Sequence, residues 1–301
     1  MEKQQFAAAG KLLFFGEYLV LRGSKCLSFP LKYQQTLTVS SQQHHEIHWT
    51  CLDENAACWL DIHFSSSLEI IQSSDEEKAK IAQRLLQLIC EKNPTLKCAG
   101  LNLEFRLNFN RMYGFGTSST LLSLLSQWSG VDAYYLLEHS FGGSGYDLAT
   151  ALSRQPIVYT MRDKTLQNVQ LSPSISNQLL FIYLGAKQSS ANEIANFKNK
   201  ITTVEHINEM NAIVEKAIVC STIEEWEKLM TASEQLLSTV LAIAPIQQRL
   251  FSDYPNSIKS LGAWGGDFIM ASTRNKEEAL AYFINKGYTT IFSFDELIKS
   301  N

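Results

Sequence analysis

The chain has 301 residues, a formal net charge of -4, 45% hydrophobic and 19% charged residues. That length supports one large or two ordinary domains with real cores, and the mildly acidic balance excludes the clustered Lys and Arg on which nucleic-acid binders depend. No apolar run approaches the roughly 18 residues that span a bilayer, and Lys11 and Glu17 interrupt the apolar start that a signal peptide would need, so the expectation is a soluble cytoplasmic protein without membrane or nucleic-acid partners, monomeric or homodimeric. In chain order, "KLLFFGEYLVL" reads as an apolar strand broken by Gly-Glu, and "TLTVSSQQHHEIHW" alternates as a half-buried strand does. "SDEEKAKIAQRLLQLICEKN" predicts an amphipathic helix with Ser74 as N-cap, acids in the first turn and Lys92 at the far end. "GLNLEFRLNF" predicts another strand, and "NRMYGFGTSSTLLSLLSQWSG" a glycine-bracketed loop running into a leucine-rich helix.

A short helix, "DAYYLLEHSF", then leads into "GGSGYDLATAL", where Asp147 stands at a loop-to-helix junction. "PIVYTM" and "LLFIYLG" read as strands, with "RDKTLQNVQLSPSISNQ" as a polar connection. Helices are expected over Asn192 to Cys220 and Glu224 to Ala242. "SIKSLGAWGGDFIMAS" is a glycine-rich turn entering a strand; a helix, "NKEEALAYFINKG", and a strand, "YTTIFSF", follow. Strands and helices alternate without a strict βαβ period, which predicts an α+β architecture divided near residue 172. The six cysteines lie apart with no C-x-x-C pair, as reduced, packed thiols do.

Four short segments carry candidate chemistry. In "YGFGTSST", glycines ahead of a helix let backbone N–H groups close on an anion, with hydroxyls to follow; a plain turn with a hydroxyl-rich cap has the same composition. Lys11, at the start of an apolar strand, must snorkel or meet an anion. Asp147 is either a helix cap or a catalytic base. In "LGAWGGDF", Gly262, Gly265 and Gly266 permit either close ligand approach or a tight bend. In "HHEIH", His44 and His48 share a strand face, but with no accompanying ligand set they read as a polar strand edge rather than a metal site.

Taken in order, "GKLLFFGEYLVL", "YGFGTSST", "GSGYD" and "GAWGGD" resemble the successive motifs of the GHMP kinases, from Lys11 to about Ala271. Tyr18, after the Gly-Glu pair, and "YLGAKQSSANEI" make the likeness strongest to phosphomevalonate kinases, with mevalonate kinases next. The resemblance implies a two-domain GHMP kinase fold: a mixed-sheet N-terminal domain with helices (residues 1–172) and a ferredoxin-like α/β C-terminal domain (173–301). It implies an ATP- and Mg²⁺-dependent transfer of phosphate to a small molecule, most directly phosphomevalonate. Mevalonate kinase, another small-molecule kinase, a diphosphomevalonate decarboxylase-like lyase and a silent ligand-binding relative are the alternatives.

By the same resemblance Asp147 is the general base and Lys11 its partner. Gly114, Gly116, Thr117, Ser118, Ser119 and Thr120 hold the ATP phosphates, and Ser118, Ser119 and Glu138 reach Mg²⁺. Glu17, Tyr18, Gly145, Lys187, Ser189, Ser190, Gly262, Gly265 and Gly266 face the substrate. Arg111, Arg154 and Arg162 are further cations for an anionic acceptor. Trp264 departs from the family pattern, standing where the fourth segment expects glycine.

Overall fold

The computed structural model describes residues 3–185, 196–262, 264 and 267–299. The chain packs as two compact units, each assembled from separate stretches: Met1–Gly10, Tyr33–Arg111 and Phe115–Leu152 form one, and Lys11–Lys32, Met112–Gly114 and Ser153–Asn301 the other. The second unit thus takes in Lys11–Lys32 as well as the C-terminal half, whereas a division at residue 172 assigns that stretch to the N-terminal half. Long strands that serve both units are the physical reason.

Strands β1 (Gln4–Phe15) and β2 (Lys25–Ser41) run through both units and pair with each other. β1 begins seven residues before Lys11, so this lysine is a mid-strand residue; the Ala-rich start carries no alternation to announce it. In the first unit, β3 (Ile47–Leu52) pairs antiparallel with β4 (Cys58–Phe64), which pairs with β5 (Ile70–Ser73). Helix α1 (Glu76–Lys92) follows. Strand β6 (Leu101–Leu107) then pairs parallel with β3 and antiparallel with Gln35–Ser41 of β2.

Alternate residues of these strands, among them Trp49, Ile62, Leu103 and Phe105, face one way and are buried with Leu85, Leu86 and Ile89 of α1. Each such side chain contributes about 1.5–3 kcal/mol by leaving water. The N-cap of α1 is Asp75, which accepts from the Lys78 N–H at 3.1 Å, one residue beyond the expected Ser74. Ser74 is occupied elsewhere: its hydroxyl accepts from the Asp61 N–H at 3.0 Å across β4.

Helices α2 (Thr117–Ser129), α3 (Ala133–Glu138) and α4 (Tyr146–Ser153) complete the first unit. Near the end of α1, the sulfurs of half-buried Cys90 and buried Cys98 are 3.2 Å apart. A hydrogen bond from Cys98 lowers the Cys90 thiol from 9.0 to about 7. We expect iodoacetamide to label Cys90 with a midpoint near pH 7 and Cys98→Ala to raise that midpoint, as followed by peptide mass spectrometry; an unshifted midpoint removes the Cys98 hydrogen bond as the cause.

In the second unit, Lys25–Ser28 of β2 pairs with β7 (Ile157–Thr160), and β7 with β8 (Thr165–Asn168). β8 falls inside the stretch expected to be a polar connection. It terminates the sheet and leaves Leu166 exposed, so it has little apolar pattern to show. After α5 (Pro173–Ser176) come β9 (Leu179–Tyr183), α6 (Val204–Ala217), α7 (Ile223–Leu241), α8 (Ile246–Leu250), β10 (Ile258–Leu261), β11 (Phe268–Ser272), α9 (Lys276–Asn285), β12 (Ile291–Ser293) and α10 (Phe294–Leu297).

The last four strands form an antiparallel sheet of order β10-β11-β9-β12. With α6 to α8 between β9 and β10, and α9 between β11 and β12, this is the ferredoxin-like arrangement expected of the C-terminal part. α6 starts at Val204, capped by the Thr203 hydroxyl, which accepts from the His206 N–H; the first residues of the longer expected helix lie outside the described ones. No helix among the described residues is long and apolar enough to cross a membrane.

Candidate active site

The loop "YGFGTSST" is pinned by its aromatic residue. Phe115 is fully buried, with its ring centroid 5.7 Å from Tyr33 and 5.4 Å from Phe109. Gly10 of β1 admits the loop: a Cβ there would lie 3.0 Å from the Phe115 carbonyl oxygen. The chain then turns at Gly116, whose φ of 84 is left-handed, and α2 begins with no side chain capping it. Its first N–H groups therefore have no partner within the helix, and the helix dipole adds partial positive charge there.

The hydroxyls that follow differ. Ser119 is buried and donates to the Gly116 carbonyl at 2.7 Å. Thr120 is buried and donates to Gln35 Oε1 at 2.6 Å, which fixes the helix to β2. Ser118 is the exposed one.

Asp147 occupies the first turn of α4 as its second residue, with Tyr146 between it and Gly145 at φ 81. It is thus not the cap residue that the sequence allowed; its carboxylate sits where the helix dipole favours negative charge. Glu138 ends α3 and is exposed.

In the second unit, the Lys11 ammonium donates to the Gly114 carbonyl at 3.4 Å. Gly114, at φ 67, has no room for a side chain: a Cβ would lie 2.0 Å from Asp267 Oδ2. Lys11 and Asp267 thus meet the same glycine, the residue that leads into the loop. Asp267 ends the segment "GAWGGD"; its place in that segment was the available signal for a residue otherwise unremarkable in the sequence.

Tyr18, which follows the Gly-Glu pair, and Trp264, which departs from the family pattern, are partners. The Trp264 N–H donates to Tyr18 Oη at 3.0 Å, and both residues are buried. Tyr18 itself holds a left-handed φ of 58 at the start of a short 3₁₀ turn, Leu19–Arg22.

Glu17 is 1% exposed and paired with Lys259 Nζ, itself 0% exposed. The same ammonium donates to the Ser260 carbonyl at 2.9 Å and lies 5.3 Å from the Phe15 ring centroid. Glu234 of α7 adds a second buried carboxylate, accepting from the N–H groups of Ile246 at 3.0 Å and Ser260 at 2.9 Å. Burial raises Glu17 from 4.5 to about 7, against the attraction of Lys259 and with a smaller push from Glu234; burial likewise raises Glu234. Glu17 thus reaches Lys259 rather than an exposed surface. Lys259 and Glu234 escaped sequence reading because a lone Lys in a strand or Glu in a helix normally means an exposed face.

Gly262 has a left-handed φ of 69 with open space where a Cβ would be. Lys187, Ser189, Ser190, Gly265 and Gly266 lie outside the described residues. Among the other cations, Arg111 stacks over the Trp59 ring at 5.2 Å, Arg154 adopts a left-handed φ of 59, and Arg162 is exposed.

The fold is that of the GHMP small-molecule kinases, with a mixed sheet and helices followed by the ferredoxin-like part. It is similar over 100% of this chain to mevalonate kinase from Methanococcus jannaschii, covering 99% of that chain with a TM-score of 0.75 and 16% identity. Streptococcus pneumoniae phosphomevalonate kinase in complex with phosphomevalonate and AMPPNP matches 96% of this chain and 99% of its own at a TM-score of 0.71 and 15% identity. Lactococcus lactis galactokinase complexed with galactose matches 97% and 92% at 0.71 and 13%. No family model matches the chain, and no curated protein does.

Proposed function

We propose that the chain transfers the γ-phosphoryl group of ATP to a hydroxyl of a small molecule, with phosphomevalonate as the favoured acceptor. The observation that carries this reading is the uncapped start of α2 behind the left-handed Gly116, on a fold shared nearly end to end with a phosphomevalonate kinase solved with AMPPNP. Backbone N–H groups at a helix start are a ready phosphate cradle, and phosphoryl transfer depends mainly on positioning and charge.

Gly114, Gly116, Thr117 and Ser118 would line that cradle. Ser119 and Thr120 would support it by holding the turn and the helix, through their hydrogen bonds to Gly116 and Gln35. Asp147 would take the proton of the acceptor hydroxyl, and Lys11 would stabilise the alkoxide charge that develops. Asp267, held against Gly114, would keep the loop's entry in place. Ser118 and Glu138 present exposed oxygen donors of the kind a hard cation takes, which fits Mg²⁺. Bound there, Mg²⁺ would offset charge on the transferring phosphate.

Glu17 and Tyr18 would act indirectly, by fixing Lys259 and the Trp264 backbone. Gly145, Gly262, Gly265 and Gly266, with Lys187, Ser189 and Ser190, remain the proposed acceptor side. A coupled ADP-release assay with phosphomevalonate, mevalonate, homoserine and galactose tests the reading. The expected result is fastest turnover with phosphomevalonate. ATP binding without turnover on any of the four would overturn it, and carbon dioxide release from mevalonate diphosphate would indicate a lyase instead.

A further inference from the structure

The exposed face of the β3–β4 hairpin holds a cluster for which the proposed kinase chemistry has no use. His48 and His63 are directly opposed across the two strands, and their rings stack with centroids 4.3 Å apart. Asp61 approaches both: its Oδ1 is 2.6 Å from His48 Nε2, and its Oδ2 is 3.5 Å from His63 Nε2. The ligand atoms of all three residues lie within 4.8 Å of one another. Residues 48, 61 and 63 share this face because side chains alternate along a strand, the intervening Ile47, Trp49 and Ile62 being committed to the core. By strand spacing along the chain His48 shares a face with His44, where no ligand set accompanies them. The partners come instead from β4, a neighbour that only sheet pairing reveals.

We propose that His48, Asp61 and His63 form a binding site for a borderline divalent transition ion, Zn²⁺ foremost. Two imidazole nitrogens and a carboxylate oxygen are the donors zinc takes, at about 2.0–2.2 Å. A tetrahedral ion at those distances sets its ligand atoms about 3.3 Å apart, a spacing that modest side-chain rotations supply from donor atoms that all lie within 4.8 Å of one another.

Two further observations point to a cation. Glu46 Oε2 lies 3.7 Å from His63 Nδ1, the nitrogen opposite the one facing Asp61. Zinc-ligating histidines characteristically have a carboxylate in that place, orienting the ring. Asn102 of β6 stands opposite His48 in the parallel pairing, so it belongs to the same face, and its side-chain oxygen is buried without a hydrogen-bond partner among the described residues. Thr50 Oγ1, 3.1 Å from His48 Nε2, is the competitor that an ion must displace. A bound ion would join β3 to β4 through side chains as well as through the ladder.

The test is Zn²⁺ titration of the full chain without nucleotide by calorimetry, with Co²⁺ absorption as a second probe of nitrogen ligation. We expect one ion per chain, affinity reduced at least tenfold in both His63→Ala and Asp61→Asn, and no change in the double variant His44→Ala/His45→Ala. Circular dichroism establishes that each variant is folded, and Zn²⁺ should raise the melting temperature of the parent but not of His63→Ala. Absence of saturable Zn²⁺ binding overturns the proposal. So does binding that survives both His63→Ala and Asp61→Asn, or that is lost with His44 and His45.

Discussion

We expect Asp147→Asn to lower kcat for the proposed phosphoryl transfer about a thousandfold, within the 10²–10⁴ that a positioned general base supplies, and to leave ATP binding unchanged. The amide keeps the size and shape of the carboxylate but cannot accept the hydroxyl proton. The fold should tolerate it, because the position is half-buried in the first turn of α4, where losing a negative charge costs only about 0.3–1 kcal/mol. Steady-state ADP release, paired with a thermal melt, separates lost chemistry from lost structure. An unchanged kcat would remove Asp147 from the base role. Lys11→Met should lower kcat as well, and the two substitutions together should cost less than the sum of their separate effects, as residues that act as a unit do.

The largest effect on stability is expected at Lys259. This ammonium is fully buried between Glu17 and the Ser260 carbonyl, with Glu234 close enough to influence Glu17. Removing one partner of a buried ion pair typically costs about 3–5 kcal/mol, because the other charge is left without compensation. Lys259→Met should lose about that much in urea unfolding at pH 8. The loss should be smaller at pH 5, where Glu17 takes up a proton instead of remaining a lone buried anion. Adding Glu17→Gln should recover much of the loss, since the amide carries no charge to strand.

The parent protein carries the corresponding pH signature. Glu17 binds its proton up to about pH 7 when folded, against 4.5 as its ordinary value. Between those limits the folded state holds a proton that the unfolded state has released. The Glu17 contribution to stability is therefore fully present below pH 4.5 and is lost as the pH rises through 7. Glu17→Gln should flatten the stability profile across that window; an unchanged slope would assign the effect to other groups.

How much of this was legible in the sequence depends on whether the signal was local. Helix α1 could be read from its period, because an amphipathic stripe is written every three or four residues, and its cap was missed by one position only because Ser74 serves β4. The order of the four glycine-bearing segments was enough to expect the fold, through their resemblance to the motifs of the GHMP kinases. The same segments pointed to the loop from Gly114 to Thr120, but the division of labour among its hydroxyls was not written there. Ser119 and Thr120 are turned inward by hydrogen bonds to Gly116 and to Gln35, and Gln35 stands 85 residues away.

β8 and the start of β1 were missed because ladder pairing, not an apolar pattern, makes them strands. Composition, charge, helical period and turn chemistry are properties of neighbouring residues, and these alone carry the α+β class, most of the helices and strands, and the glycine-bearing segments. The pairing of Glu17 with Lys259, of Tyr18 with Trp264, and of His48 with Asp61 and His63 joins residues up to 246 positions apart. Those partnerships were decided only by the tertiary structure, because which side chains share a buried or exposed face depends on strand register and helix packing, and nothing in the spacing along the chain encodes either.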